Sequence, residues 1–369
     1  MSAARGAAWP DPQELRLLQA AVLPAQHAVA SWEAWVAAGG DLDGVVEGET
    51  YRLLPQLWFN LAESGREDPE LGRLSGIYRH AWVRNQRLLR RGGLAVDALR
   101  EAGVETMLLK GGALVTGVGR SIGTRPMEDV DVLVRPGDAP RAIDVLAGLG
   151  YHHPNRLPLS ESMRAWHGGP LYRRDDDQID LHWSAFQVPG DEERIWRAAV
   201  PVALGTTTTL VPAPAHQLLI ICAHGLRWPR APLRWVADAA LLLQSDAEVE
   251  WALFVSTAVD RDLTVESLAA LRLLREGFGL PVPAAAIEAL ERAPVPPVTR
   301  VAYALRGAPY HVQVLLAWAD SYRRLRRRPY GPSGPARDLV DHMRIVLDLS
   351  SRRAVLRWAG RRARAARQA

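Results

Sequence analysis

Two aspartates set two residues apart in an apolar run give this chain its first chemical signal. In Glu128-Asp129-Val130-Asp131-Val132-Leu133-Val134 the alternation of acid and valine reads as a β-strand. Side chains alternate faces along a strand, so Asp129 and Asp131 project together while Val130, Val132 and Val134 bury the back. Glu128 falls in the other phase and reads as a non-ligand. Paired carboxylates repel unless a cation lies between them, and an all-oxygen donor set suits magnesium. Asp180, in Gln178-Ile179-Asp180-Leu181-His182-Trp183, is again an acid on an alternating strand. If the two strands are neighbours, Asp129, Asp131 and Asp180 converge. Such a triad can hold two magnesium ions roughly 3.5–4 Å apart for in-line phosphoryl transfer. His182 shares the face of Asp180; taken alone it reads as a partly buried hydrogen-bonding histidine.

Lys110-Gly111-Gly112-Ala113-Leu114 follows one short apolar run and opens a helix. Glycines at that position let backbone N–H groups approach a polyphosphate, and a helix N-terminus favours anions. Lys110 adds a positive charge, and it is the only lysine among 45 basic residues. A lysine is a compact point charge on a flexible stem, unlike the planar fork of arginine. Arg125, shortly before Asp129, reads either as an exposed loop arginine or as a group that neutralises a phosphate.

Together Leu109–Leu114, Arg125 and Glu128–Val134 resemble the signature of the DNA-polymerase-β-like nucleotidyltransferase superfamily. More closely, the chain is similar to the superfamily's uncharacterised nucleotidyltransferase branch over roughly residues 50 to 285. That likeness includes Arg84-Asn85, Gly150-Tyr151, Ile179–Trp183, His224 and Leu233-Arg234-Trp235-Val236-Ala237-Asp238. The resemblance implies that Asp129 and Asp131 bind both metals, and that Asp180 binds one and helps deprotonate an acceptor hydroxyl. It also implies that Gly111 and Gly112 cradle the triphosphate. Here the chain departs from the superfamily, whose usual turn is Gly-Ser; the missing hydroxyl leaves Lys110 to compensate. Arg234 and Asp238 are spaced for an i,i+4 ion pair on a helix, and the resemblance also allows both a nucleotide-facing role.

The expected reaction moves a nucleoside monophosphate from a triphosphate, with ATP the first candidate, to a hydroxyl and releases pyrophosphate. The acceptor is read as a small molecule or peptide natural product, because members of the branch often sit beside peptide-tailoring genes. A toxin-like transfer to tRNA or another RNA end is the alternative, and a non-catalytic nucleotide-binding scaffold is a third. The RNA reading draws on charge. Residues 321–369 carry fourteen arginines against three aspartates, or +11, which leaves −7 for the rest of a chain whose net charge is +4. A solvated basic tail is the plainer account of those arginines.

The fold must bring these residues together. Residues 11–100 show helical spacing, with a long helix over Ile77–Leu99. About four strands are expected between 103 and 184, where 171–174 and 178–183 form a hairpin. After Pro212 come helices near 216–224, 232–243, 251–259 and 263–278. The expected class is α+β, a small mixed sheet flanked by helical regions. The expected boundaries are 1–102, a nucleotidyltransferase core over 103–210, a helical domain over 211–328, and a basic helix or tail over 329–369. At 48% hydrophobic and 23% charged the chain is an ordinary globular sequence. No apolar run is long enough for a membrane-spanning helix, and Met1–Gln13 does not read as a secretory signal. The single cysteine, Cys222, reads as a small buried hydrophobe, and the expected location is cytoplasmic. His216 and His224 lack a third ligand near them, which disfavours zinc. Trp228, Trp235, Trp251 and Trp318 read as core, and Tyr330–Pro335 as a turn.

Overall fold

The computed structural model describes residues 10–45, 49–65, 67–118, 121–153, 168–173, 177–187, 190–226, 233–304, 319, 322–323, 338–347 and 349–365. Trp228, Trp318 and the Tyr330–Pro335 turn lie outside the described residues.

The N-terminal part is helical: α1 (Pro12–Val22), α2 (Ala25–Ala37), α3 (Leu42–Val45), α4 (Leu54–Glu63) and the 31-residue α5 (Leu71–Glu101). α1 starts where Asp11 accepts from the backbone N–H groups of Gln13 and Glu14, while Glu14 accepts from the N–H of Asp11, a reciprocal capping box. The long helix α5 lies against the sheet through Gly92 and Gly93. A Cβ on Gly92 would stand 3.1 Å from both methyls of Val130, and one on Gly93 would stand 3.4 Å from the carbonyl of Leu204. Two glycines in mid-helix weaken the helix by roughly 0.5–1 kcal/mol each. Here Gly92 lets its backbone close onto the back of the acid-bearing strand, and Gly93 onto the end of another strand of the sheet.

The central part alternates strand and helix: β1 (Thr106–Leu108), α6 (Lys110–Gly117), β2 (Val130–Val134), α7 (Ala139–Gly148), β3 (Gly168–Tyr172), β4 (Gln178–His182), α8 (Glu192–Arg197), β5 (Val200–Leu204) and β6 (Thr207–Val211). The six strands form one mixed sheet in the order β3-β4-β2-β1-β6-β5. The expected α+β class, the four strands expected between 103 and 184 and the β3–β4 hairpin are present, and two further strands lie beyond that window. The β5–β6 hairpin extends the sheet beyond β1, turning at Gly205, whose φ of +63° lies in the left-handed region open to glycine. Thr207–Val211 is rich in β-branched residues, so this hairpin had a sequence signal.

Helices α9 (Pro214–Gly225), α10 (Arg234–Leu243), α11 (Trp251–Asp260), α12 (Thr264–Phe278), α13 (Ala284–Arg292) and α14 (Pro297–Ala304) follow, with α15 (Leu339–Val346) and α16 (Arg352–Ala365) towards the end. α9 is buried on most of its circumference, Cys222 included, and Trp235 packs over Gly225 where α9 meets α10. A side chain on Gly225 would collide with that indole.

The sheet therefore separates two apolar layers. Val130, Val132, Val134, Ile179 and Leu181 pack with Val96 and Leu99 of α5 and with Ala142 and Leu146 of α7. Met107, Leu109 and Leu133 join the larger core built with α1, α4, α9, α10 and α12. The back of β2 is buried as its valine alternation requires, which leaves Asp131 on the face turned towards α9 and α10. No helix among the described residues is long and apolar enough to cross a membrane.

Candidate active site

β2 and β4 run parallel and adjacent, in a register that sets Asp131 beside Asp180 and Leu133 beside His182. Same-face alternation on both strands then gathers Asp131, Asp180 and His182 at one spot. Each offers a ligand atom, and those atoms lie within 4.8 Å of one another. Asp129 sits one residue ahead of β2 rather than on it, and it is not part of that compact group. It remains close enough for its charge to couple to both Asp131 and Asp180. Glu128 points elsewhere and pairs with Arg52 at 2.5 Å.

Lys110 enters this cluster from the third strand. β1 lies antiparallel to β2, and the N–H of Leu109 donates to the carbonyl of Asp131 at 3.0 Å, which fastens the start of α6 beside the acids. Lys110 Nζ stands 2.6 Å from Asp131 Oδ1 and 4.0 Å from Asp180 Oδ2. His182 Nε2 meets the same Asp131 oxygen at 2.9 Å and lies 3.6 Å from Asp180 Oδ2. The side chain expected at a polyphosphate is thus held among the carboxylates. Its backbone is strained: Lys110 has φ +44°, a left-handed conformation costing a non-glycine residue about 1–2 kcal/mol. Strain of that kind gathers at functional sites, where the surroundings enforce it.

Electrostatics divides the acids. Burial alone would raise Asp131, but Lys110 and the His182 contact outweigh it and hold the carboxyl well below the usual range. For Asp129, burial and the neighbouring charges of Asp131 and Asp180 act together and push it up to about 6, with Lys110 and Arg125 only partly offsetting them. Lys110 touches Asp131, while Arg125 reaches Asp129 and Asp131 only through its charge and is itself paired with Asp238. The carboxylates of Asp131 and Asp180 form an oxygen donor set that fits a divalent cation such as magnesium or manganese, and the imidazole beside them bonds Asp131.

Arg125 is neither exposed nor free in a loop. It is 6% exposed, and it grips Asp238 of α10 through Nε–Oδ1 and Nη2–Oδ2 bonds, both 2.9 Å. Burial works against the guanidinium charge, yet the Asp238 pairing raises its pKa overall. Arg234, one turn before Asp238, donates to the Pro126 carbonyl at 3.3 Å. Two residues one turn apart in the first half of α10 thus both hold the loop before β2. A further residue does the same from α5. Fully buried Asn85 donates to the carbonyls of Ile122 and Arg125 and accepts from the N–H of Met127 at 3.0 Å. The sequence offered Asn85 as a polar residue in a long helix and as part of the family likeness, without a role. A buried amide amid an apolar stripe was the available signal.

The two glycines do different work. A Cβ on Gly111 would overlap the Arg125 guanidinium and reach 3.0 Å from Met127 Sδ, whereas one on Gly112 would meet only the Leu108 side chain at 3.6–3.7 Å. Gly111→Ala is therefore expected to dislodge the buried Arg125–Asp238 pair and lower stability by about 2–4 kcal/mol. Gly112→Ala should be neutral or stabilising by up to about 1 kcal/mol, through helix propensity. Parallel denaturant titrations of the two variants check this; equal losses would contradict it.

His216, 0% exposed, faces Thr257 Oγ1 at 3.3 Å, and burial with nearby Arg194 and Arg261 pushes its pKa down to about 4. It is a core histidine, and Trp235 is likewise core, while Trp251 is partly buried against it.

A glycine turn at a helix start beside paired acids, on adjacent strands, also has a counterpart among known sequences. The profile of a family described as "Uncharacterised nucleotidyltransferase" matches residues 49–279. The chain belongs to that family. No curated protein sequence matches it. For this nucleotidyltransferase the match runs from ahead of α4 to the end of α12. It therefore takes in Asn85, Lys110, Arg125, the acids of β2 and β4, and Asp238.

Proposed function

We propose that the chain transfers a nucleoside monophosphate from a nucleoside triphosphate, ATP being the first candidate, to an acceptor hydroxyl. The reading rests on one observation above the others: Asp131, Asp180 and His182 present ligand atoms within 4.8 Å of one another beside the start of α6. Two magnesium ions bound by Asp129, Asp131 and Asp180 would supply charge neutralisation at the triphosphate and lower the pKa of the acceptor hydroxyl. Asp129, next to the glycine turn, would complete the donor set from the loop side. His182 bonds Asp131 and so orients the carboxylate it touches. Asp180, partly exposed, is the carboxylate set to take the acceptor's proton. The acceptor oxygen forms its bond to the α-phosphorus as the bond to the β-phosphate oxygen breaks, and pyrophosphate leaves. Positioning and charge stabilisation carry the catalysis. Gly111, Gly112 and the first N–H groups of α6 lie where the triphosphate would bind, with Arg125, Arg234 and Asp238 holding that wall in place.

A small molecule or a peptide natural product is the first acceptor class, and the enzyme is proposed to be cytoplasmic. An RNA end is the second, favoured by exposed Arg353, Arg357 and Arg361, which repeat every four residues along α16. The test is incubation of the full chain with magnesium, labelled triphosphates, and peptide, small-molecule and RNA acceptors. Labelled product with pyrophosphate release is expected. An RNA product whose yield collapses with salt and on removal of residues 338–369 would select the second reading. Nucleotide binding with no product from any acceptor would leave a scaffold and sink the enzymatic reading.

A further inference from the structure

The one lysine of the chain stands on the donor atoms that a divalent cation would need. Its ammonium is 2.6 Å from Asp131 Oδ1 and 4.0 Å from Asp180 Oδ2, and that Asp131 oxygen is also the one that His182 Nε2 meets at 2.9 Å. An ion bound by Asp131 and Asp180 would take the same carboxylate lone pairs and would repel an ammonium left beside it. Both cannot occupy the cluster in this arrangement. The backbone supports a built position rather than a chance contact, since Lys110 stands at φ +44° directly after Leu109, whose N–H donates to the Asp131 carbonyl.

Two properties of the residue make the position reversible. Lysine carries a point charge on a four-carbon stem and can turn about its side-chain bonds, which a clamped arginine fork does not do readily. Lys110 is also the first residue of α6, and the N–H groups just after it form the end of a helix that favours phosphate. A rotation of the side chain would carry the ammonium from the carboxylates to an anion seated there, with no change of fold.

We propose that Lys110 is a resident counter-ion that occupies the metal site of the empty enzyme and yields it only when a triphosphate draws the ammonium away. Free cation is then disfavoured at the site, and cation and triphosphate load together. This deepens the reading of Asp131 and Asp180 as metal ligands and rests on it.

The decisive measurement is manganese alone titrated into the nucleotide-free full chain, with free ion read by electron paramagnetic resonance. Lys110→Met should bind manganese about tenfold tighter than the unaltered chain, because a like charge has left the site. Lys110→Gly should do the same while relieving the left-handed backbone, and it serves if the methionine variant melts early. Asp131→Asn should abolish saturable binding in either background. Saturable binding that is unchanged or weaker in both lysine variants would overturn the proposal while leaving the metal site standing, since a lysine that merely shapes the acids gives that sign. No saturable binding in any form would overturn the proposal together with the metal reading beneath it.

Discussion

Asp131→Asn is expected to reduce nucleotidyl transfer by about 10³-fold and to lower the melting temperature of the metal-free protein. The activity loss follows from position. Asp131 is the carboxylate that the register of β2 and β4 sets beside Asp180, and it belongs to the compact ligand group. A cation bridging transferring phosphates contributes several kcal/mol of charge stabilisation, and each 1.36 kcal/mol is a factor of ten. The stability loss has a separate origin. Asp131 is buried and bonded to Lys110 and His182, which hold its carboxyl well below the usual range. A depressed folded pKa means stability that is present above the unfolded pKa of 3.8 and lost as pH falls through the folded value. At neutral pH the contribution is complete, on the order of 2 kcal/mol after allowance for strong coupling. Isosteric asparagine keeps the shape and loses the charge, so circular dichroism should report an intact fold. An Asp131→Asn variant with near-normal turnover would remove Asp131 from the reaction.

How far the sequence foretold this site depends on how local each interaction is. The strand identity of Val130–Val134 and the inward valines follow from a two-residue period, and the structure buries those valines against α5 and α7. The neighbouring of β2 and β4 was the one conditional step, and their parallel pairing supplies it. Asp129 departs from the simple picture because the strand begins one residue later, at Val130, and period-two reasoning assumes an unbroken ladder. The Arg125–Asp238 clamp was illegible for another reason. Its partners are 113 residues apart, and their meeting depends on how α10 packs against α6. Spacing along a helix names only the neighbours one turn away, which is why Arg234 stood out as the partner. Asn85 serves a loop 37 to 42 residues later, and no pattern within α5 encodes that.

Asp129→Asn should give the opposite sign in stability and the same sign in activity. Asp129 is part-buried, and burial together with the charges of Asp131 and Asp180 raises it from 3.8 to about 6. Between pH about 4 and about 6 the folded chain therefore binds a proton that the unfolded chain has released. Stability of the metal-free protein must fall across that window as pH rises, and stay lowered above it. Asparagine cannot ionise and escapes this penalty. At pH 8 with chelator present, the variant should be more stable than the unaltered chain by about 2 kcal/mol, discounted for the partial exposure of the group. The advantage should vanish near pH 4, where both side chains are neutral. Turnover should nevertheless drop about 10²–10⁴-fold, since the charge that destabilises the empty site is a charge the bound cations would neutralise. The same proton should compete with metal in the unaltered chain, so manganese affinity should weaken as pH falls below about 6. Denaturant titrations of both proteins at pH 4, 5, 6 and 8 decide the matter. A variant less stable at pH 8, or one whose advantage does not depend on pH, would mean that Asp129 is already neutralised by the protein and holds no place open for a cation.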